Sequence, residues 1–299
     1  MQTRSSTGER DAPAGHEVDD RDDLGRQLRG MWGAVAGRWA EHADYVDARA
    51  ASLTEAMLKL AAPQPGERVL ELACGPGGLG LAAAELVGPD GEAVLSDFVS
   101  EMTAIASARA AARGLNNVST RELDLEAIDE PDGSYDIVLC REGLMFARDP
   151  ARAAREIHRV LTSGGRVALA VWGPRERNPW LGLVFDAVSA QLRKPVPPPG
   201  IPGPFSLDDP DEFAMLLSEA GLEEVAVDQV SVPVRAGTFE EWWARTSALA
   251  GPLAKMLESL PEEPVEAIRA RLREAVRPYD TPAGLEFPGL TLVAAGRRA

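Results

Sequence analysis

The chain has 299 residues, which at about 150 residues per domain allows one large domain or two modest ones. Apolar residues make up 45% and charged residues 26%, ordinary globular usage that excludes collagen-like, coiled-coil and wholly disordered chains. Its 31 basic and 47 acidic residues leave a net charge of −16, a field that repels phosphate backbones and anionic lipid, so neither nucleic acid nor a membrane is an expected partner.

Residues 1–25 are charge-rich, with the run Asp19-Asp20-Arg21-Asp22-Asp23 and almost nothing to bury, and are expected to form a disordered tail. From Met31 to Ala62 apolar residues recur at helical spacing (Met31, Val35, Trp39, then Leu53, Met57, Leu60), which predicts two amphipathic helices ended by Pro63 and Pro65-Gly66. Between residues 67 and 173, apolar runs at Arg68 to Ala73, Ala93 to Asp97, Val118 to Asp124, Tyr135 to Cys140 and Arg166 to Trp172 alternate with helical patterns. Those helices fall near Leu79 to Leu86, Ser100 to Arg113 and Pro150 to Leu161. The alternation predicts an α/β fold, a parallel sheet covered by helices on both faces, with ligands bound beyond the carboxyl ends of the strands.

Past Trp172 the regularity breaks. Residues Pro195 to Pro204 hold six prolines in ten, which predicts a stiff loop. Asp208-Asp209-Pro210 opens a helix that Gly221 stops, a strand is expected at Val225 to Val234, and Thr238 with Glu241 forms a capping box for a helix carrying Trp242 and Trp243. Val265, Ile268, Leu272 and Val276 mark another helix, and Leu290 to Ala295 a final strand. No run of about 18 apolar residues occurs, and the first thirty residues are too charged for a signal peptide, so a cytoplasmic location is expected. Cys74 and Cys140 end the first and fourth runs and read as small buried hydrophobes; no Cys/His cluster has zinc spacing, and no metal is expected.

The chemistry concentrates where the strands end. Glycines at 75, 77 and 80 follow the first strand in VLELACGPGGLG, a pattern that lets backbone approach a ligand and that, alone, fits a dinucleotide site. Glu71, four residues before the first glycine, would repel a diphosphate and welcome a cation; it could also brace the loop through backbone amides. Asp97 ends the second strand, where a carboxylate can accept from both ribose hydroxyls or cap the next helix. Asp124 ends the third, placed to take an adenine amine or to serve a turn. Together these describe a positively charged adenosine compound.

The stretches VLELACGPGG, AVLSDFVSEM, LDLEAIDEPDGSYDIVLCREGLMF and REIHRVLTSGGRVALAVWG resemble the class I S-adenosylmethionine-dependent methyltransferases, in particular the small-molecule branch that includes the ubiquinone/menaquinone methyltransferases. The resemblance covers roughly residues 65 to 173. It implies a Rossmann-like seven-stranded sheet in the order 3-2-1-4-5-7-6 with its last strand antiparallel. The methyltransferase domain would run over 26–299, with helical lid insertions at about 26–62, 174–209 and 238–284. It also implies that Glu71, Gly75, Gly77, Ala73 and Cys140 surround the methionine part of S-adenosylmethionine. Asp97 would bind the ribose, Phe98 and Met102 the adenine faces, and Asp124 with the Leu125 amide the adenine edge.

Methyl transfer asks mainly for alignment, and for a base only when the acceptor must lose a proton. His42, in the amino-terminal helical region with Tyr45, is the candidate base; His158 sits on a sheet-packing helix and His16 in the tail. Arg141 and Glu142 follow the fourth strand and could orient an acceptor or pair within the loop. Trp39, Phe146, Trp172, Trp180, Trp242 and Trp243 are candidates for an apolar pocket or for plain core. The expected activity is methylation of oxygen or carbon on a small, largely apolar natural-product or quinone-like molecule by a monomer or homodimer. The alternatives are a cyclase of the same fold that keeps the cofactor structurally, and an NAD-dependent oxidoreductase.

Overall fold

The computed structural model describes residues 15–299. The first three helices are α1 (Gly15–Glu41), α2 (Ala43–Arg49) and α3 (Ala51–Ala61). There follow β1 (Arg68–Glu71), α4 (Gly78–Val87), β2 (Glu92–Asp97), α5 (Ser100–Ala112), β3 (Val118–Glu122) and β4 (Tyr135–Arg141). Next come α6 (Pro150–Val160), β5 (Leu161–Trp172), α7 (Pro179–Leu192), α8 (Pro210–Glu219), β6 (Glu223–Ser231) and β7 (Val234–Ala236). The chain closes with α9 (Phe239–Leu249), α10 (Pro252–Ser259), α11 (Glu262–Ala275), β8 (Asp280–Thr281), β9 (Gly284–Phe287) and β10 (Leu290–Arg297).

Seven strands form one sheet in the order β3-β2-β1-β4-β5-β10-β6. Since β6 and β10 are its sixth and seventh strands in the chain, this is the expected 3-2-1-4-5-7-6 order. At its centre β1 runs parallel to both neighbours, Leu70 facing Val94 of β2 and Val138 of β4. β10 is antiparallel to β5 and β6, Val293 facing Ala170 and Asp228. Buried on both faces, β1 and β4 carry unbroken apolar stretches at Val69-Leu70 and Ile137 to Cys140. One face packs Ile157 of α6 and Phe213 and Leu217 of α8; the other packs Leu53 and Met57 of α3, Leu79 of α4 and Ala106 of α5.

Three expectations change. Residues 1–14 lie outside the described residues, but from Gly15 the chain is already in α1, so the expected tail of residues 1–25 is at least partly helical. Within the expected lid of residues 26–62, α3 packs its Leu53, Met57 and Ala61 on the sheet, and only α1 and α2 face the strand ends. The strand expected at Val225 to Val234 divides in two. Pro233 has no N–H to donate, so the ladder with β10 ends at Ser231. The amide of Val232 bonds Gly289 O at 2.8 Å, and β7 joins a small second sheet ordered β7-β9-β8.

This small sheet and helices α7, α9, α10 and α11 share their own apolar cluster, with Trp242, Ile268, Leu272 and Phe287 nearly inaccessible. Its junction with the main sheet rests on Asn178, 2% exposed. The Asn178 amide nitrogen donates to Gly173 O at 3.0 Å and Leu290 O at 2.9 Å, while its oxygen accepts from the Leu290 amide at 3.0 Å. Asn178→Ala leaves the Gly173 carbonyl and the Leu290 amide without these partners, the Leu290 carbonyl keeping the Gly173 amide at 2.9 Å, and should cost about 1–3 kcal/mol of unfolding free energy. A urea titration showing a loss under about 0.5 kcal/mol would remove this residue from the joint, since that is the scatter of neutral surface changes.

Candidate functional site

The carboxyl ends of the central strands open into a cavity of about 670 Å³, closed over by α1, α2, α7, α9, α10 and the proline-rich loop. Its size suits a small-molecule site. Between β1 and α4 the backbone turns through left-handed conformations at Ala73 (φ 49°), Gly75 (φ 51°) and Gly77 (φ 81°). A Cβ on Gly75 would meet no atom within 4 Å, whereas one on Gly77 would lie 2.7 Å from Leu95. Gly75 therefore presents bare backbone to the cavity, and Gly77 lets the turn settle on the sheet.

Glu71 holds this turn from behind. It is 1% exposed, and its Oε2 accepts from the Gly80 amide at 2.9 Å. Burial pushes its carboxyl up to about 8, against the opposing pull of the Arg141 guanidinium and the Gly80 amide. Asp97, at the end of β2, does line the cavity. Its Oδ2 accepts from the Gly75 amide and its Oδ1 from the Val99 amide, both at 3.0 Å, so the carboxylate links glycine turn to α5. Each oxygen keeps a further lone pair. Burial pushes Asp97 up to about 6, countered by the amides of Gly75, Val99 and Phe98. A cationic ligand nearby would favour the ionised form of both groups.

Of the cofactor residues expected from sequence, Ala73, Gly75, Asp97, Phe98, Met102, Asp124 and Leu125 line the cavity together. Glu71, Gly77 and Cys140 do not: Glu71 braces Gly80, Gly77 packs against Leu95, and Cys140 is fully buried in the sheet. Asp124 holds a turn through the Glu126 amide at 2.9 Å and pairs with Arg148 at 2.7 Å. The His42 side chain is not part of the cavity wall either; it stands at the α1–α2 junction, where the chain turns out of α1. His158 lies on α6 beside Gly221, away from the cavity.

Glu142, the other catalytic candidate, is in the wall. It takes φ 60° directly after β4, and its Oε2 accepts from Arg49 of α2 at 3.0 Å. Arg141 beside it bonds Thr54 at 2.7 Å and pairs with Asp47 at 3.4 Å. Trp39, Phe146, Trp172 and Trp180 line the cavity, whereas Trp242 is core of the small lid cluster and Trp243 packs against it. Trp32 was not anticipated: it meets Phe146 edge-on at 5.1 Å and Trp39 at 6.2 Å. Its seven-residue spacing from Trp39, two helical turns, was the signal available for it. Arg49 and Arg148 had none, because their partners are distant in sequence. Among the described residues, no group of three or more His, Cys, Asp or Glu could hold a metal ion, and no helix is long and apolar enough to cross a membrane.

Burial of Glu71 has a consequence for stability. The unfolded chain releases this proton near 4.5 and the folded chain near 8, so the contribution of the group falls as pH rises through that window. Glu71→Gln keeps an acceptor for Gly80 and has no proton to lose. Relative to the parent, its urea midpoint should rise between about pH 5 and about pH 8. A constant difference across that range would contradict a raised Glu71.

Residues 63–179 match the family described as "Methyltransferase domain". The chain is 35% identical over 133 residues to the ubiquinone/menaquinone biosynthesis C-methyltransferase UbiE of Ectopseudomonas mendocina, a match covering 44% of this chain and 52% of that protein. It is 38% identical over 126 residues to the demethylmenaquinone methyltransferase of Thermus thermophilus, covering 42% and 56%. The chain thus spans about half the length of these relatives. Among solved structures, the YcgJ protein of Bacillus subtilis superposes with a TM-score of 0.58 at 21% identity, over 82% of this chain and 97% of that one. The [4+2]-cyclase SpnF superposes with a TM-score of 0.54 at 22% identity, over 83% and 81%. These two similarities establish the fold. With its strand order, glycine turn and family match, the segment 63–179 has the Rossmann-like fold of, and is similar in sequence to, class I methyltransferase domains.

Proposed function

We propose that the protein is an S-adenosylmethionine-dependent methyltransferase that methylates oxygen or carbon on a small, largely apolar molecule. The observation that carries this reading is that one cavity is lined by two chemically different sets of residues: Ala73, Gly75 and Asp97 from the strand ends, and the aromatic cluster of Trp172, Trp180 and Phe185 with the proline-rich loop. In this assignment Asp97 takes the ribose hydroxyls, Phe98 and Met102 the adenine faces, and Asp124 and Leu125 the adenine edge. Ala73 and Gly75 border the methionine part, with Glu71, Gly77 and Cys140 supporting them from behind.

When bound, S-adenosylmethionine supplies an activated methyl group on a sulfonium, so the protein's task is to align the acceptor and exclude water. The aromatic wall and the prolines of the 195–204 loop fit a rigid, apolar acceptor. Glu142, in the cavity wall, is assigned the role of orienting it. His42 has no such placement and takes no role here. Asp97→Ala should weaken S-adenosylmethionine binding by about 1–3 kcal/mol, the usual cost of losing hydrogen bonds to a charged group. Calorimetry on a folded variant with unchanged affinity would remove Asp97 from the site.

The activity itself is tested with S-adenosylmethionine carrying a trideuterated methyl group and a panel of polycyclic phenols and quinols. Release of S-adenosylhomocysteine with transfer of the label to an acceptor is the expected result. Conversion of a substrate with the cofactor left intact would instead establish the cyclase alternative, the chemistry named for SpnF, whose fold this chain shares. Oxidation of NADH by the protein would establish the oxidoreductase.

A further inference from the structure

We propose that the ion pair between Arg49 and Glu142 is a charge filter: it makes the acceptor end of the cavity select neutral molecules and reject anionic ones. Resting on the methyltransferase reading only for calling this ligand the acceptor, the proposal follows from how the cavity's cations are used. Arg26, Arg29, Arg49, Arg141, Arg148 and Arg245 contribute to the wall, and each is matched by a carboxylate. Arg26 pairs with Asp23, Arg29 with Glu122, Arg141 with Asp47, Arg148 with Asp124 and Glu126, and Arg245 with Glu241. A cavity built to hold a phosphate or carboxylate would leave at least one guanidinium for it.

Arg49 is the cation best placed to do so. It reaches from α2 to the aromatic end, its guanidinium 5.6 Å from the Trp180 ring, and is 10% exposed. Glu142, 11% exposed, neutralises it at 3.0 Å. Glu142 is held firmly: its amide donates to Ala170 O at 2.8 Å, and the next residue, Gly143, packs so closely on Ala73 that a Cβ there would strike it. The pair therefore bridges from the glycine turn at Ala73 to Trp180. It also leaves Glu142 Oε1 buried without a hydrogen-bond partner among the described residues, so this stretch of wall offers an unpaired carboxylate oxygen and little free cation; the unpartnered donor at the same aromatic end, the Trp172 indole N–H, is neutral. An anionic ligand would have to break a nearly buried pair or lie against an unscreened carboxylate, and both are costly. A neutral ligand meets neither cost.

The test compares methyl 2-naphthoate with 2-naphthoate, equal in ring system and different in charge, by quenching of the tryptophans that line the cavity, in protein saturated with S-adenosylhomocysteine. The parent should bind the ester about tenfold or more tightly than the acid. Glu142→Gln frees Arg49, and the preference should shrink to about threefold or less, or invert. Arg49→Met leaves the carboxylate unopposed, and the preference for the ester should grow. Binding of S-adenosylhomocysteine, measured by calorimetry, reports that each variant is folded; should Glu142→Gln fail this check, Arg49→Met decides. Equal or tighter binding of the acid by the parent, or a preference that neither substitution moves, overturns the filter while leaving the methyltransferase reading intact. If S-adenosylhomocysteine binds and neither naphthoate compound does, the apolar acceptor end is itself wrong and the filter falls with it.

Discussion

Glu71 and the amide of Gly80 tie β1 to α4, behind the glycine turn that lines the cavity. The carboxyl crosses from the strand to the first turn of the helix, where amides lack intrahelical partners. A Cβ on Gly80 would strike that carboxyl and approach Leu95 to 2.7 Å, so the glycine and the acid require each other. Ser96 Oγ donates to the Glu71 carbonyl at 2.8 Å and the Cys74 amide to the Ser96 carbonyl at 2.9 Å, which locks the turn to β2. Asp97 then ties the same turn to α5. What remains on the cavity side is bare backbone at Gly75 and a carboxylate with lone pairs to spare.

The roof is attached to this frame through charge and not through apolar packing alone. Asp47 of α2 pairs with Arg109 of α5 at 2.6 Å, Arg141 after β4 at 3.4 Å and Arg113 at 3.8 Å. Arg109 also donates to the Pro76 carbonyl at 2.8 Å, so the lid helix, the glycine turn and the strand end share one network. Such networks fix geometry more than they stabilise, because desolvation offsets most of the Coulomb gain. On the other side, Gly251 ahead of α10 lies so close to the Trp32 ring that a Cβ would come within 2.8 Å. Amino-terminal and carboxyl-terminal lids thus meet over the cavity.

The central sheet was legible because its signals are local: buried parallel strands are continuous apolar runs, and the caps Asp209 and Thr238 sit where their helices begin. Asp97, Phe98 and Met102, which line the cavity, stood out in the sequence because strand ends are where ligands bind in this class of sheet. Glu71 was recognised as unusual, yet whether its carboxyl faced the ligand or the loop depended on the side from which α4 approaches, which no spacing encodes. That His42 lies outside the cavity wall was hidden for a related reason. One residue's rotation at the α1–α2 junction decides whether a side chain enters the cavity, and Tyr45 and Arg49, three and seven residues on, face it instead. The pairs Arg49–Glu142 and Arg148–Asp124 join positions far apart in the chain, and the small sheet of β7, β9 and β8 depends on Pro233 ending one ladder so that another can form.

The account stands on the strand-end side of the cavity being built for a cationic adenosine compound. The most direct test is thermal unfolding of the purified protein with S-adenosylmethionine, S-adenosylhomocysteine and NADH in turn, each at saturation. A ligand at about 100 times its dissociation constant adds roughly 2.7 kcal/mol of stability, an easily resolved shift. The account predicts a clear rise in midpoint with both adenosyl compounds and none with NADH; a rise with NADH alone would contradict it.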